Sequence, residues 1–149
     1  MRKLIVAAAL GALAILVVLP AVGSAASTTL KATLSGKNEV PSKGDPDGSG
    51  TATLRIDPAK RTVCYTIKLR KIGATAAAHI HTGKKGKAGG VLIPLFGTTS
   101  SKTTRKGCSR NQTAATLRKI VRSPRNYYVN VHTAKYPDGA ARGQLSKED

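Results

Sequence analysis

Gly50-Thr51-Ala52-Thr53-Leu54-Arg55-Ile56-Asp57-Pro58-Ala59-Lys60-Arg61-Thr62-Val63-Cys64-Tyr65-Thr66-Ile67-Lys68-Leu69-Arg70 reads as two strands and the turn between them. Ala52, Leu54 and Ile56 fall on one face of 50–57, and Val63, Tyr65, Ile67 and Leu69 on one face of 62–70. A period of two is the strand period, because successive side chains point to opposite faces. Pro58 to Arg61 supplies the reversal, so the segment predicts a β-hairpin. The same pattern continues outward. Strands are predicted at 28–34, 75–81, 89–96, 126–133 and 140–145, with a turn-rich loop at 37–49 and a polar loop at 97–111. One short helix is predicted at 113–121, where Ala114, Leu117, Ile120 and Val121 share a stripe; Thr113 or Asn111 caps it and Ser123-Pro124 ends it. About seven strands with one short helix predict an all-β, Greek-key-like sandwich.

The first 26 residues read as a secretory signal. Arg2 and Lys3 precede an apolar run over 4–19, and Pro20, Gly23, Ser24, Ala25 and Ala26 follow as a break and a small-residue cleavage site. An uncleaved N-terminal anchor is the alternative, since the run approaches the ~20 apolar residues of a membrane span. With cleavage, residues 27–149 form one exported domain with no transmembrane span, located in the periplasm, the cell envelope or the medium. The chain carries 25 Lys plus Arg against 7 Asp plus Glu. Such a balance suits anionic partners such as acidic polysaccharide, anionic envelope polymers or phospholipid headgroups, or else a solvated surface that keeps an exported protein in solution. With no Trp, one Phe and four Tyr, stacking platforms are scarce, which argues against nucleic acid. Cys64 and Cys108 are the two cysteines, and an even pair in an exported domain reads as a disulfide. Two unpaired thiols or a metal-binding pair are the alternatives.

All three histidines lie in predicted strands. Alternation puts His79 and His81 opposite Ala76, Ala78 and Ile80, and His132 with Tyr128 and Asn130 opposite Val129 and Val131. Leu145 marks the core side of the last strand, which leaves Arg142 and Gln144 outward. If the three strands are neighbours, His79, His81 and His132 form a surface patch with Asn130, Arg142 and Gln144. A His-x-His pair plus a third His suits one copper or zinc ion with one open position. The alternative role for these imidazoles is to hydrogen-bond the carbonyls of loops 82–90 and 133–139. Apart from Asp138, no carboxylate lies close in sequence to support such ligands. No catalytic residues emerge from spacing: there is no Ser-His-Asp or Cys-His arrangement, and Gly83-Lys84-Lys85-Gly86-Lys87 lacks the phosphate-loop pattern.

Several ordered segments resemble the CHRD domain, a family named from chordin. They are Leu34-Ser35-Gly36-Lys37-Asn38-Glu39-Val40-Pro41, Ala78-His79-Ile80-His81, and Tyr128-Val129-Asn130-Val131-His132-Thr133 with Tyr136-Pro137-Asp138-Gly139-Ala140-Ala141-Arg142-Gly143-Gln144-Leu145. The resemblance spans 30–145. It implies a β-sandwich with an outline like that of Cu/Zn superoxide dismutase, and it fits a cysteine pair at Cys64 and Cys108. Three histidines are too few for a dinuclear Cu/Zn site, so at most a mononuclear site is expected. Growth-factor binding is not implied, because chordin's cysteine-rich modules are absent. The expected function is a non-enzymatic extracytoplasmic binding or structural module. The alternatives are a mononuclear copper or zinc protein, or a basic module attached to anionic cell-envelope polymers.

Overall fold

The computed structural model describes residues 26–147. The signal read over 1–26 therefore lies, but for Ala26, outside the described residues. The elements run β1 (Thr28–Ser35), β2 (Ser49–Asp57), β3 (Thr62–Arg70), β4 (Thr75–Thr82), β5 (Val91–Phe96), β6 (Thr104–Ser109), α1 (Ala114–Arg122), β7 (Tyr127–Thr133), β8 (Ala141–Gln144) and β9 (Ser146–Lys147), with 3-10 turns at Gly36–Asn38 and Pro124–Asn126. The strands form one antiparallel sheet in the order β5-β4-β7-β8-β1-β2-β3-β6, with β9 paired to β1. This is an all-β fold, and its single sheet is rolled until nearly closed.

The hairpin of the opening segment forms β2 and β3. Ala52 faces Ile67, Leu54 faces Tyr65 and Ile56 faces Val63 across the ladder, so apolar pairs stack on the core side. One core cluster joins the two halves of the sheet: Leu30, Leu34, Leu54 and Ile67 from one, Ile80, Ile93, Val129 and Val131 from the other. Helix α1 adds Leu117 and Ile120 to it. Its start is capped by Thr113, whose hydroxyl accepts from the Thr116 N–H.

Three departures from the sequence reading concern the elements. The polar loop expected over 97–111 contains β6, paired residue by residue with β3 from Lys68↔Thr104 to Val63↔Ser109. Its sequence, Thr-Arg-Lys-Gly-Cys-Ser, has no apolar alternation, because an edge strand with little buried surface needs none. The strand expected over 140–145 is two short pieces, interrupted at Leu145, whose N–H donates to the Tyr127 carbonyl. The strand count is consequently nine rather than about seven.

Cys64 and Cys108 sit opposite each other in the β3–β6 register and form a disulfide. At the other end of the rolled sheet, Thr75 and Ser100 exchange two backbone hydrogen bonds of 2.9 Å. Arg105 of β6 donates to the Thr75 hydroxyl at 2.8 Å and lies 3.9 Å over the Phe96 ring. Strand β6 is thus tied to both β3 and the β4–β5 edge. Among the described residues, no helix is long and apolar enough to cross a membrane.

Candidate metal centre

Strands β4, β7 and β8 are neighbours, and their registers align the polar side chains into rows. His79 lies opposite Asn130, and Asn130 opposite Arg142; His81 lies opposite Tyr128, and Tyr128 opposite Gln144. His132 enters from β7, diagonal to His79, because its direct partner is Ala77. The inward residues of the same strands, Ala78, Ile80, Val129, Val131 and Ala141, belong to the core. Alternation within each strand and the register between strands therefore deliver all seven polar groups to one face.

That face is not an open surface patch. His81, Asn130 and Arg142 are buried, while His79, His132 and Gln144 are half-buried. Loops roof the rows over and are held down by the row residues themselves. Arg142 donates to the carbonyls of Lys84 and Lys87 at 3.0 and 2.7 Å, and its guanidinium stacks 3.4 Å over the Tyr128 ring. Gln144 donates to the carbonyl of Gly83 at 2.7 Å. Gly83 has φ 142° and its Cβ position is walled by the Lys87 carbonyl and Tyr128, so only glycine fits this tight loop entry.

The imidazoles converge. One ligand nitrogen from each of His79, His81 and His132 lies within 4.8 Å of the others. His81 Nδ1 is 3.0 Å from the Gly89 carbonyl, and His132 Nδ1 is 2.9 Å from the Pro137 carbonyl. A carbonyl only accepts, so both Nδ1 atoms carry a proton, and in the neutral ring it is Nε2 that presents the lone pair. His132 Nε2 faces His79 Nδ1 at 3.1 Å, and His81 Nε2 is buried without a protein partner. His81 is also stacked on Tyr128, 17° between planes, which fixes its ring. Burial, then the neighbouring His132 and His81, push His79 down to about 4. Burial first lowers His81 as well, with His132 and Arg142 adding to the effect and the Gly89 carbonyl opposing it. At neutral pH these two rings are uncharged, which is the ligating form.

Glu39 completes the face and was not singled out from the sequence as a site residue. It follows the 3-10 turn Gly36–Asn38 in the long β1–β2 loop, is 2 % exposed, and accepts from Asn130 Nδ2 at 3.4 Å. Any Cβ at Gly139 would sit 2.6 Å from its carboxylate and one at Gly44 2.6 Å from its Cγ, so two glycines wall the carboxylate in. Burial pushes its carboxyl up to about 7 against the opposing pull of Arg142 and the Asn130 hydrogen bond. The signal was on the page, since Glu39 stands within the Lys37-Asn38-Glu39-Val40-Pro41 run, yet a separation of 91 residues from Asn130 hid the contact. Among the described residues, every buried side-chain polar atom without a partner lies here: Glu39 Oε1, His81 Nε2, Asn130 Oδ1 and Arg142 NH1. Unpaired buried polar atoms are uncommon and costly, and their collection on one face sets it apart from the rest of the described structure.

The family model of the CHRD domain matches residues 30–145, which takes in β2 to β8, most of β1, the histidines, Glu39 and both cysteines. The chain belongs to the CHRD domain family. No curated protein and no solved structure matches it significantly. Membership supports a binding or structural module in general terms. In this CHRD domain the polar rows on β4, β7 and β8 gather the three histidines, Asn130, Arg142, Gln144 and Glu39 on one covered face. The disulfide between β3 and β6 accords with an extracellular setting.

Proposed function

We propose that this CHRD domain is a non-enzymatic extracytoplasmic module that holds a single copper or zinc ion through His79, His81 and His132. One observation carries the reading: three imidazole nitrogens converge within 4.8 Å, two of them turned inward by Nδ1–H bonds to the Gly89 and Pro137 carbonyls. Nitrogens bound at 2.0–2.1 Å to one tetrahedral ion lie about 3.3 Å apart. His79 Nδ1 and His132 Nε2 already stand at 3.1 Å, so an ion takes the place of the proton they share. His81 supplies the third nitrogen within 4.8 Å, and its Nε2 is buried and unpartnered. The Gly89 and Pro137 carbonyls fill the supporting role for His81 and His132. The two roles weighed for the histidines are thus compatible, because Nδ1 fastens a loop while Nε2 faces the ion.

The test is metal content. The purified exported chain, loaded with Zn²⁺ or Cu²⁺ and dialysed, is expected to retain one ion per chain. His81→Ala and His132→Ala are each expected to lower affinity by ~100-fold or more, with circular dichroism unchanged. Sub-stoichiometric metal in the wild type, unaltered by His81→Ala, would overturn the reading.

A further inference from the structure

Away from the histidines, three concavities join into one groove. The first is lined by Arg122, Arg125 and Asn126; the second shares Arg125, Asn126 and Ser146 with it and adds Lys84 and Lys85; the third shares Lys85, Gln144 and Ser146 and runs on to Lys37 and Lys43. Each holds about 430–470 Å³. Arg122, Arg125, Lys84, Lys85, Lys37 and Lys43 are all exposed, and among the described residues none of them pairs with a carboxylate. The groove's one lining carboxylate is Glu39, at its far end and buried. Cations spread along a channel, unpaired with any carboxylate among the described residues, raise the local concentration of a matching polyanion.

The lining also says which polyanion. It contains no aromatic side chain, so bases of a nucleic acid have nothing on which to stack. Between the cations stand Ser123, Asn126, Ser146, Asn38 and Thr33, a mixed donor and acceptor set suited to hydroxyl groups. The central lysines are held in place from below, since Arg142 and Gln144 tie the Gly83–Lys87 backbone to β8. The groove is therefore a formed feature rather than a set of loose side chains.

We propose that this groove, and not the domain's positive charge as a whole, is a docking site for a linear anionic polysaccharide. The acidic groups of the polysaccharide meet the exposed cations in succession, and its hydroxyls meet the intervening polar side chains. The site does not depend on metal at the histidines. A second basic face, with Lys102, Lys106 and Arg110 around β6, provides an internal control.

The experiment compares two triple variants of the metal-free exported chain: Lys43→Gln/Lys85→Gln/Arg125→Gln in the groove, and Lys102→Gln/Lys106→Gln/Arg110→Gln on the β6 face. Each removes three exposed charges. Binding to polygalacturonate, neutral dextran and single-stranded DNA is measured by titration at ~50 and ~200 mM salt, a range over which the screening length falls from roughly 14 Å to roughly 7 Å. The groove variant is expected to lose tenfold or more affinity for polygalacturonate and the β6 variant less than twofold. Dextran is expected not to bind, and DNA to bind more weakly than polygalacturonate. Equal losses in the two variants would reduce the effect to net charge and overturn the proposal. So would DNA binding as tight as that of the polysaccharide, or no binding of polygalacturonate at ~50 mM salt.

Discussion

Glu39 is the residue whose chemistry depends most on its surroundings. A glutamate of ordinary pKa near 4.5 is raised to about 7 by burial between Gly44, Gly139 and Asn130. Between pH 4.5 and 7 the folded chain keeps a proton on Glu39 that the unfolded chain has released. The unfolded state binds fewer protons there, so this group's contribution to stability falls as pH rises through the window. Glu39→Gln removes that slope. Compared with wild type, the variant is expected to gain on the order of 1–2 kcal/mol as pH goes from 4.5 to 7.5, read from urea unfolding at the two pH values. A constant difference would mean that the carboxyl titrates normally. The histidines illustrate the complementary point. Their face followed from alternation, yet their burial and tautomers follow from the Gly89 and Pro137 carbonyls, which belong to loops with no periodic signal.

At the scale of elements, β6 shows where sequence patterning fails. Strands β2, β3 and β7 carry alternating apolar residues because one of their faces lies on the core. Strand β6 buries little, and Thr104, Lys106 and Cys108 are all exposed. It is a strand because β3 offers it an unpaired edge, because Cys64–Cys108 joins the two, and because Arg105 grips Thr75. The disulfide closes a sequence separation of 44 residues, for which chain entropy gives about 4 kcal/mol. Reduction, or Cys64→Ala/Cys108→Ala, is expected to lower the unfolding free energy by roughly 2–4 kcal/mol. Amide exchange should accelerate first at Arg105, Gly107 and Ser109. Unchanged protection in β6 would show that its hydrogen bonds suffice without the crosslink. Helix α1, by contrast, was legible in advance: its stripe, its Thr113 cap and its Ser123-Pro124 stop are all local signals.

At the scale of the whole molecule, the rolled sheet brings distant pieces to one place. The β1–β2 loop, the β4–β5 loop and the β7–β8 loop meet over β4, β7 and β8, so an ion held by His79, His81 and His132 joins two strands and steadies two loops. A ligand that binds only the folded state stabilises it by about 2.7 kcal/mol at a hundredfold excess over Kd. Zn²⁺ or Cu²⁺ is therefore expected to raise the midpoint of thermal unfolding by several degrees for a domain of this size. His132→Ala should show no such rise. A rise retained in His132→Ala would place the ion elsewhere. The same assembly sets the basic groove, whose cations come from the β1–β2 loop, the β4–β5 loop and the α1–β7 junction.

The sequence by itself determined the strand faces, the α1 helix, the all-β class and the family, because each rests on local periodicity or on ordered motifs along the chain; the disulfide was one reading of the two cysteines among three until the β3–β6 register set them face to face. Tertiary structure alone decided that the polar rows are covered, that Glu39 joins them, that a charged polar stretch becomes β6, and that scattered cations line one groove. The physical reason is common to all four. Each depends on which loops and edges meet after the sheet rolls up, and a backbone edge, a carbonyl or a lysine in a loop leaves no periodic trace of the neighbour it will find.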